Sequence, residues 1–210
     1  MTPEDFVRFF REERASAILR TPHGDRAVPA MQAAARAGFR ALEFTLTIPN
    51  ALEAIATLSA NSEVVVGAGT VLTVEQAREA VAAGARFLVS PVCDVEVIEV
   101  AAELGVAIMP GCFTPTEMLR AHRAGAPLVK LFPSPGTGPS FVRACLGPLP
   151  FLKIVPTSGV TGENAAEYLA AGAHAVGFVA PLFHPSDIES EQYDKIEERG
   201  RALLAATRGQ

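Results

Sequence analysis

The stretch RAGFRALEF at residues 36–44 is the first of four copies of one short unit, and this unit decides the fold. The other copies are AAGARFLVS (82–90), RAGAPLVKL (123–131) and AAGAHAVGF (170–178). In each copy a helix ends at a small residue and a glycine, and an apolar run typical of a buried parallel strand follows. The repeat therefore predicts alternating helices and strands.

Further apolar runs lie before and between the copies: SAILR (16–20), EVVVGAG (63–69), GVAIMPG (105–111) and FLKIVPTSG (151–159). Because the copies begin at residues 36, 82, 123 and 170, each interval has room for two strand-helix units. Strict alternation predicts a parallel sheet, either open and doubly wound or closed into a barrel. The even spacing and the count of eight strands favour an α/β fold of the (β/α)8 TIM-barrel type. We expect one domain over residues 1–210, with an extra N-terminal helix before the first strand.

Composition excludes several classes of partner. The 210-residue chain has a net charge of −5 and no basic stripe, so nucleic acid is not expected to bind. No apolar run reaches the roughly 18 to 20 residues of a membrane span, and MTPEDFVRFFREERAS resembles a charged amphipathic helix. We therefore expect a cytoplasmic protein that does not bind membranes. Neither the three cysteines nor the four histidines have metal-site spacing, so no metal site is predicted.

Two ionisable residues are predicted to face each other inside the barrel. The alternation in ALEFTLT (41–47) turns Glu43 inward, because the apolar residues between must pack on the helices. The same alternation in LVKLFP (128–133) turns Lys130 inward. The second and sixth strands of an eight-stranded barrel lie opposite each other, so the acid and the amine are expected to share one apolar cavity.

A buried ion pair is the simplest interpretation of these two side chains. The functional interpretation is favoured because both lie near the loop ends of their strands, where barrel active sites form. A desolvated lysine has the lowered pKa that lets it attack a carbonyl, and a nearby carboxylate can transfer protons. Lys153 falls early in the seventh strand and Lys195 lies in a charged helix. Lys130 is therefore the predicted nucleophile.

Two loop regions are candidates for ligand binding. The segment GAGTV (67–71) ends the third strand with glycines and the Thr70 hydroxyl, which suits either close approach to a ligand or a tight turn. The segment PTSG (156–159) and the region near Gly177 occupy the part of many barrels where backbone N–H groups hold a phosphate.

Five segments together resemble the 2-keto-3-deoxy-6-phosphogluconate aldolase and 4-hydroxy-2-oxoglutarate aldolase family: Glu43, GAGTVL (67–72), FLVSP (87–91), PGCFTPTE (110–117) and VKLFP (129–133). They stand in the family's order and spacing. The resemblance implies a homotrimer of (β/α)8 barrels without metal or organic cofactor. Such an enzyme cleaves a 4-hydroxy-2-keto acid to pyruvate and an aldehyde, which is glyceraldehyde 3-phosphate or glyoxylate.

The resemblance also implies roles for individual residues. Lys130 would form the Schiff base and Glu43 would act as general acid and base. Thr70 would bind the pyruvate carboxylate, and Pro91 and Phe132 would form walls of the site.

The carboxylate site departs from the family pattern. Where the family commonly has TLRT, this chain has TLTI, so Thr47 replaces a substrate-binding arginine. Arg20, at the end of the first strand, is expected to supply the positive charge, as in a related branch of the family.

The phosphate-binding turn departs as well. PTGG becomes PTSG, so Ser158 stands between Thr157 and Gly159, and the serine usual after the last strand is Ala180. Backbone donors at Ser158 and Gly159 remain available. Whether the substrate carries a phosphate is therefore open.

Two other functions fit the predicted fold. One is a sugar-phosphate isomerase or epimerase, which needs two opposed acid-base groups and no imine. The other is a non-catalytic barrel that binds a sugar acid, which gives no reason for both Glu43 and Lys130.

Overall fold

The computed structural model of the protein describes residues 1–208, so the last two residues of the predicted domain 1–210 lie outside it. The strands are β1 Ala15–Leu19, β2 Ala41–Thr45, β3 Val65–Gly69, β4 Phe87–Val89, β5 Ala107–Met109, β6 Gly111–Cys112, β7 Val129–Leu131, β8 Ile154–Pro156 and β9 Val176–Phe178. The helices are α1 Pro3–Glu13, α2 Gly24–Ala37, α3 Ala51–Ser59, α4 Val74–Ala82, α5 Val95–Glu103, α6 Pro115–Arg123, α7 Pro139–Leu146, α8 Ala165–Ala170, α9 Pro185–Glu189 and α10 Tyr193–Arg208.

The repeated helix stop has one structural cause. Gly38, Gly84, Gly125 and Gly172, one in each copy of the repeat, have φ values of 112°, 105°, 98° and 102°. Glycine adopts this left-handed conformation without a steric penalty, so the chain leaves the helix there and enters the next strand. The predicted alternation of helices and strands is confirmed.

The strands form a TIM-barrel-like ring, as predicted. All pairs are parallel, in the orders β5-β4-β3-β2-β1-β9 and β6-β7-β8. The predicted fifth strand is divided at Pro110, which lacks the N–H needed to continue the ladder. The N–H of Lys130 donates to the Pro110 carbonyl at 2.9 Å across this break. The two sheets also meet between β8 and β9, where the His174 N–H donates to the Ile154 carbonyl at 2.8 Å.

Because the fifth strand has two parts, β7, β8 and β9 are the predicted sixth, seventh and eighth strands.

The residues of each strand alternate between two apolar cores. Leu42 and Phe44 belong to the core between strands and helices, whereas Ala41 and Leu128 belong to the core inside the barrel. This is the alternation that predicted Glu43 and Lys130 to point inward.

Helix α1 closes the N-terminal end of the barrel. Phe6 and Phe10 are fully buried, and the Phe6 ring stacks on Phe87, the first residue of β4, with centroids 4.6 Å apart. Thr2 caps the helix, its hydroxyl accepting from the Asp5 N–H at 3.2 Å. The C-terminal strand ends lie at the opposite end of the barrel. Across residues 1–208, no helix combines the length and apolar character needed to cross a membrane.

Candidate active site

Glu43 and Lys130 lie on opposite sides of the upper barrel. Glu43 is the third residue of β2 and Lys130 the second of β7, and the ring order sets these strands opposite each other. Glu43 is 1% exposed and Lys130 is 7% exposed. Both charge-bearing groups are therefore removed from water, where an unpaired charge is costly.

Burial changes the ionisation of both side chains. It raises the pKa of Glu43, although the positive charges of Lys130 and Arg20 oppose the shift. It lowers the pKa of Lys130; Glu43 opposes this shift and Arg20 reinforces it. In both cases desolvation outweighs attraction between the two groups. The site therefore favours a neutral amine and a protonated acid more than water does.

The Glu43 carboxyl group is not satisfied by an ion pair. Its Oε1 atom is buried and has no hydrogen-bond partner. Neither a hydrogen bond nor a salt bridge joins Glu43 to Lys130 in the described part of the chain. Because neither contact satisfies this carboxyl group, the simple ion-pair interpretation does not fit this geometry.

The glycines at the end of β3 accommodate neighbouring side chains. A Cβ atom at Gly69 would stand 2.0 Å from Oε1 of Glu43, and one at Gly67 would stand 2.4 Å from the Phe87 ring. Glycine is therefore required for these inward side chains to fit. This is a different reason from the close ligand approach or tight turn considered from the sequence.

Arg20 and Thr70 form the rim above the two buried groups. Arg20 follows the last residue of β1 and is exposed, and its Nη2 donates to the Thr70 hydroxyl at 3.3 Å. Thr70 has a φ of 61°, which is unusual for a β-branched residue. Arg20 also acts electrostatically on both Glu43 and Lys130. The structure thus places the Arg20 guanidinium group at the mouth of the site.

A cavity of about 240 Å³ opens beside Lys130 at the C-terminal strand ends. The Lys130 Nζ atom also lies 5.0 Å from the centroid of the Phe132 ring. Six of the predicted site residues line the cavity: Arg20, Lys130, Phe132, Thr157, Ser158 and Gly159. Four more lining residues were not predicted to bind substrate: Ile18, Val179, Ala180 and Pro181.

The sequence did contain a signal for Ile18, because alternation in SAILR turns its side chain to the opposite face of the strand from Ala17 and Leu19. Both of those residues pack in the outer core. Val179 and Pro181 follow β9, and no local pattern distinguishes them from other loop residues.

Four predicted site residues do not line this cavity: Glu43, Thr70, Thr47 and Pro91. Thr47 is exposed beyond the end of β2, with its hydroxyl 2.9 Å from that of Thr45. Pro91 packs against β6, where its carbonyl oxygen would be 2.2 Å from a Cβ on Gly111. The substrate contacts predicted for Thr47 and Pro91 stay predictions.

The fold and this cavity define a barrel enzyme with a buried amine at a cavity that suits a small ligand and a buried carboxyl group on the opposite strand. A sequence model of the KDPG and KHG aldolase family matches residues 7–199. The chain belongs to this family. It is therefore an aldolase, and not the isomerase, epimerase or non-catalytic barrel that the fold alone left open.

Individual relatives agree with this assignment. The chain is 37% identical over 193 residues to a probable 2-dehydro-3-deoxy-6-phosphogalactonate aldolase of Rhizobium meliloti, covering 90% of this chain and 89% of the relative. It is 42% identical over 146 residues to a 2-dehydro-3-deoxy-phosphogluconate aldolase of Treponema pallidum, covering 69% and 70%.

A solved structure is similar over nearly the whole fold. It is the KDPG aldolase of Legionella pneumophila, described with pyruvate captured at low pH as a covalent carbinolamine intermediate. The TM-score is 0.85 at 27% identity, and the alignment covers 94% of this chain and 97% of the other.

Proposed function

We propose that this aldolase cleaves a 4-hydroxy-2-keto acid to pyruvate and an aldehyde through a Schiff base on Lys130. The observation that carries the proposal is the desolvated Lys130 amine at the floor of the cavity, opposite the buried Glu43 carboxyl group. Burial lowers the pKa of Lys130, and only the neutral amine is a nucleophile. The covalent pyruvate adduct described for the Legionella relative supports the same chemistry.

In the first half of the reaction, the lone pair of Lys130 Nζ attacks the C2 ketone to form a carbinolamine. Glu43 in its protonated form donates to the hydroxyl group, which leaves as water and yields the protonated imine. The raised pKa of Glu43 supports this role, because a carboxyl group must hold a proton before it can donate one.

In the second half, the Glu43 carboxylate accepts the proton of the C4 hydroxyl. The C3–C4 bond then breaks, its electrons enter the C2–C3 bond, and the iminium nitrogen becomes neutral as the aldehyde leaves. Glu43 returns the proton to C3 of the enamine, and water hydrolyses the imine to release pyruvate. One buried acid group can serve each proton step because it alternates between donor and acceptor.

Arg20 and Thr70 are proposed to bind the substrate carboxylate. A guanidinium group suits a carboxylate because it can donate two parallel hydrogen bonds. Replacing Arg20 by alanine is expected to raise KM for the 2-keto acid roughly tenfold or more, the loss of one charge-assisted hydrogen bond. Arg20→Lys keeps the positive charge, so its KM should lie between those of the native enzyme and Arg20→Ala. An unchanged KM for pyruvate in the reverse reaction would exclude Arg20 from this role.

The substrates that we propose are 2-keto-3-deoxy-6-phosphogluconate, 4-hydroxy-2-oxoglutarate or both, with glyceraldehyde 3-phosphate or glyoxylate as the aldehyde. The named relatives act on phosphorylated 2-keto-3-deoxy acids. Thr157, Ser158 and Gly159 line the cavity and are proposed to contact the far end of the substrate.

We also propose a cytoplasmic homotrimer. Leu72, Val92 and Phe113 are 46%, 50% and 45% exposed, and all follow C-terminal strand ends on one side of the barrel. Exposed large apolar side chains in one region often mark a protein interface. Phe113→Glu should therefore reduce the mass measured by light scattering from that of a trimer. The three free cysteines suit a reducing compartment.

The Schiff base is tested by incubating the enzyme with pyruvate, adding borohydride and mapping the product by mass spectrometry. The peptide with Lys130 is expected to gain the mass of reduced pyruvate, and the peptides with Lys153 and Lys195 serve as internal controls. Lys130→Met should carry no adduct. An unmodified Lys130 peptide in the native enzyme would exclude this mechanism.

A further inference from the structure

One wall of the cavity beside Lys130 is formed by the chain that follows β9. Three residues line this wall: Val179, Ala180 and Pro181. The Val179 carbonyl accepts from the N–H groups of Leu182 and Phe183, at 3.1 and 2.9 Å, so the chain makes a tight turn here. We refer to residues 179–183 as the wall turn. These two bonds join the turn only to itself, so its position beside the cavity must be set by other contacts.

Helix α10 holds the wall turn at Leu182. The Leu182 side chain is fully buried, and a Cβ at Gly200 of α10 would stand 3.4 Å from its Cδ1 atom. The same Cβ would stand 2.6 Å from the Cβ of Ala37 in α2, so α10 packs closely on both neighbours at this point. On the backbone side, Nη1 of Arg199 donates to the Leu182 carbonyl at 2.6 Å. Two consecutive residues of α10 therefore contact both the side chain and the backbone of Leu182.

Arg199 also binds the short helix that follows the wall turn. Its Nη2 atom donates to the carboxylate of Asp187 in α9. The Asp187 side chain is buried, and that of Arg199 is 26% exposed. A guanidinium group presents its donors in a rigid planar fork, so it holds two acceptors at one fixed separation. Arg199 thus fixes the wall turn and α9 relative to each other and to α10.

Stability alone does not account for this buried ion pair. Removing two charges from water costs about as much as their attraction returns, and apolar residues of similar size often stabilise a fold as well or better. Arg201, two positions further along α10, makes the more common kind of contact, an ion pair with Glu197 in which its own side chain is 64% exposed. The Arg199 contacts differ from that pair because they end at the cavity wall.

The wall turn and the proposed carboxylate site lie on different sides of the cavity. The wall turn follows β9, which pairs with β1. Arg20 reaches from the end of β1 to Thr70 after β3, which is the direction away from β9. A substrate joined to Lys130, with its carboxylate at Arg20 and Thr70, is therefore expected to turn its aldehyde half toward the wall turn.

We propose that Arg199 is a positioning residue for the aldolase reaction. By binding the Leu182 carbonyl and the Asp187 carboxylate together, it holds the wall turn at the distance from Lys130 that fits the aldehyde half of the substrate. This inference rests on the proposed function, which assigns the substrate to this cavity. Arg199 itself does not line the cavity, so it acts through Val179, Ala180 and Pro181.

The test removes the ion pair and measures the two halves of the substrate separately. Arg199→Met alone would leave a buried charge on Asp187 without its partner, so the test variant is Asp187→Leu/Arg199→Met, which removes both charges. Condensation is assayed with pyruvate and the better accepted of glyceraldehyde 3-phosphate and glyoxylate. KM for the aldehyde should rise roughly fivefold or more with kcat within about threefold, as expected for the loss of uniform binding.

The pyruvate half should be unaffected. KM for pyruvate and the rate of the borohydride-trapped Lys130 adduct should change by less than about twofold, because neither depends on the wall turn. Arg199→Lys keeps a positive charge opposite Asp187 but lacks the planar fork, so its KM for the aldehyde should lie between those of the native enzyme and the double variant. Arg201→Met is the matched control on the same helix and should leave both KM values unchanged.

A purely structural role gives a different result. Equal rises in the two KM values, or a lower melting temperature with an unchanged KM for the aldehyde, would overturn the proposal. The trapping experiment on the native enzyme separates this outcome from failure of the proposed function. A normal Lys130 adduct with an unchanged aldehyde KM in the double variant would reject only the role of Arg199. Absence of the adduct in the native enzyme would reject the Schiff-base mechanism.

Discussion

The lower and upper halves of the barrel interior use the same inward positions for opposite purposes. In the lower half, Ala41 and Leu128 pack with the aromatic rings of helix α1 and Phe87 in a fully apolar core. One alternation step higher on the same two strands, the inward residues are Glu43 and Lys130. The lower half is occupied by apolar groups, whose transfer out of water is favourable. The upper half holds ionisable groups, whose transfer out of water is costly.

This difference shows where the reactivity comes from. Removal from water stabilises the apolar side chain of Phe87. The same removal from water lowers the pKa of Lys130 and raises that of Glu43. The apolar core and helix α1 exclude water from the N-terminal end of the barrel, so Lys130 meets solvent only at the cavity. The lower half therefore supports the chemistry of the upper half through the environment that it creates.

The largest expected effect is the loss of activity in Lys130→Met. Without the amine no imine forms, and kcat/KM should fall at least about 10⁴-fold, equivalent to about 5.4 kcal/mol of transition-state stabilisation. The fold should remain, because methionine has a similar length and suits an apolar site. Lys130→Arg is the control that keeps a positive charge but is not expected to form the imine. Steady-state assays that find either variant within tenfold of native activity would contradict the assigned role.

The next largest effect tests the lower half. Phe87→Ala removes a fully buried ring that stacks on Phe6 and should destabilise the protein by about 3 to 5 kcal/mol. Urea denaturation measures this change. Phe151→Ala, at a ring that is 45% exposed, is the matched control and should change stability by no more than about 0.5 kcal/mol. Equal losses of stability in Phe87→Ala and Phe151→Ala would contradict the assignment of Phe87 to the core and of Phe151 to the surface.

The smallest of these effects is a gain of stability in the double variant Glu43→Leu/Lys130→Met. Replacing two desolvated ionisable groups should stabilise the fold by about 1 to 4 kcal/mol near neutral pH. Urea denaturation of both proteins over a range of pH measures the gain. A less stable double variant at neutral pH would show that attraction between Glu43 and Lys130 outweighs their desolvation.

The gain in stability should also depend on pH. The folded-state pKa of Glu43 is raised, so its cost is full above that pKa and disappears as pH falls past the unfolded value of about 4.3. The folded-state pKa of Lys130 is lowered, so its cost is full below that pKa and disappears as pH rises past about 10.4. The advantage of the double variant should therefore shrink toward both extremes. A stability gain that stays constant across pH would show that the gain comes from packing and not from charge.

Much of the fold could be predicted because its signals are local. The glycine stops at Gly38, Gly84, Gly125 and Gly172 repeat in the sequence, and alternation along β2 and β7 is enough to turn Glu43 and Lys130 inward. The opposition of these two strands then follows from the count of eight. The division of the fifth strand at Pro110 was not predicted, since GVAIMPG has the composition of one continuous apolar run.

The remaining site features depend on contacts between distant segments. Gly69 must be glycine because of a carboxyl group on the adjacent strand, and no local pattern reveals that register. Thr47 and Pro91 were predicted by resemblance, and both lie in loops after their strands, outside the residues that line the cavity.

The pH dependence of pyruvate trapping tests the central claim most directly, namely that burial lowers the pKa of Lys130 and thereby increases the share of neutral, nucleophilic amine. The initial rate of the borohydride-trapped Lys130 adduct would be measured from acidic to strongly alkaline pH, with pyruvate held well below saturation. We predict that the rate rises through a midpoint well below the ordinary lysine pKa of about 10.4. A midpoint at or above that value would contradict the account.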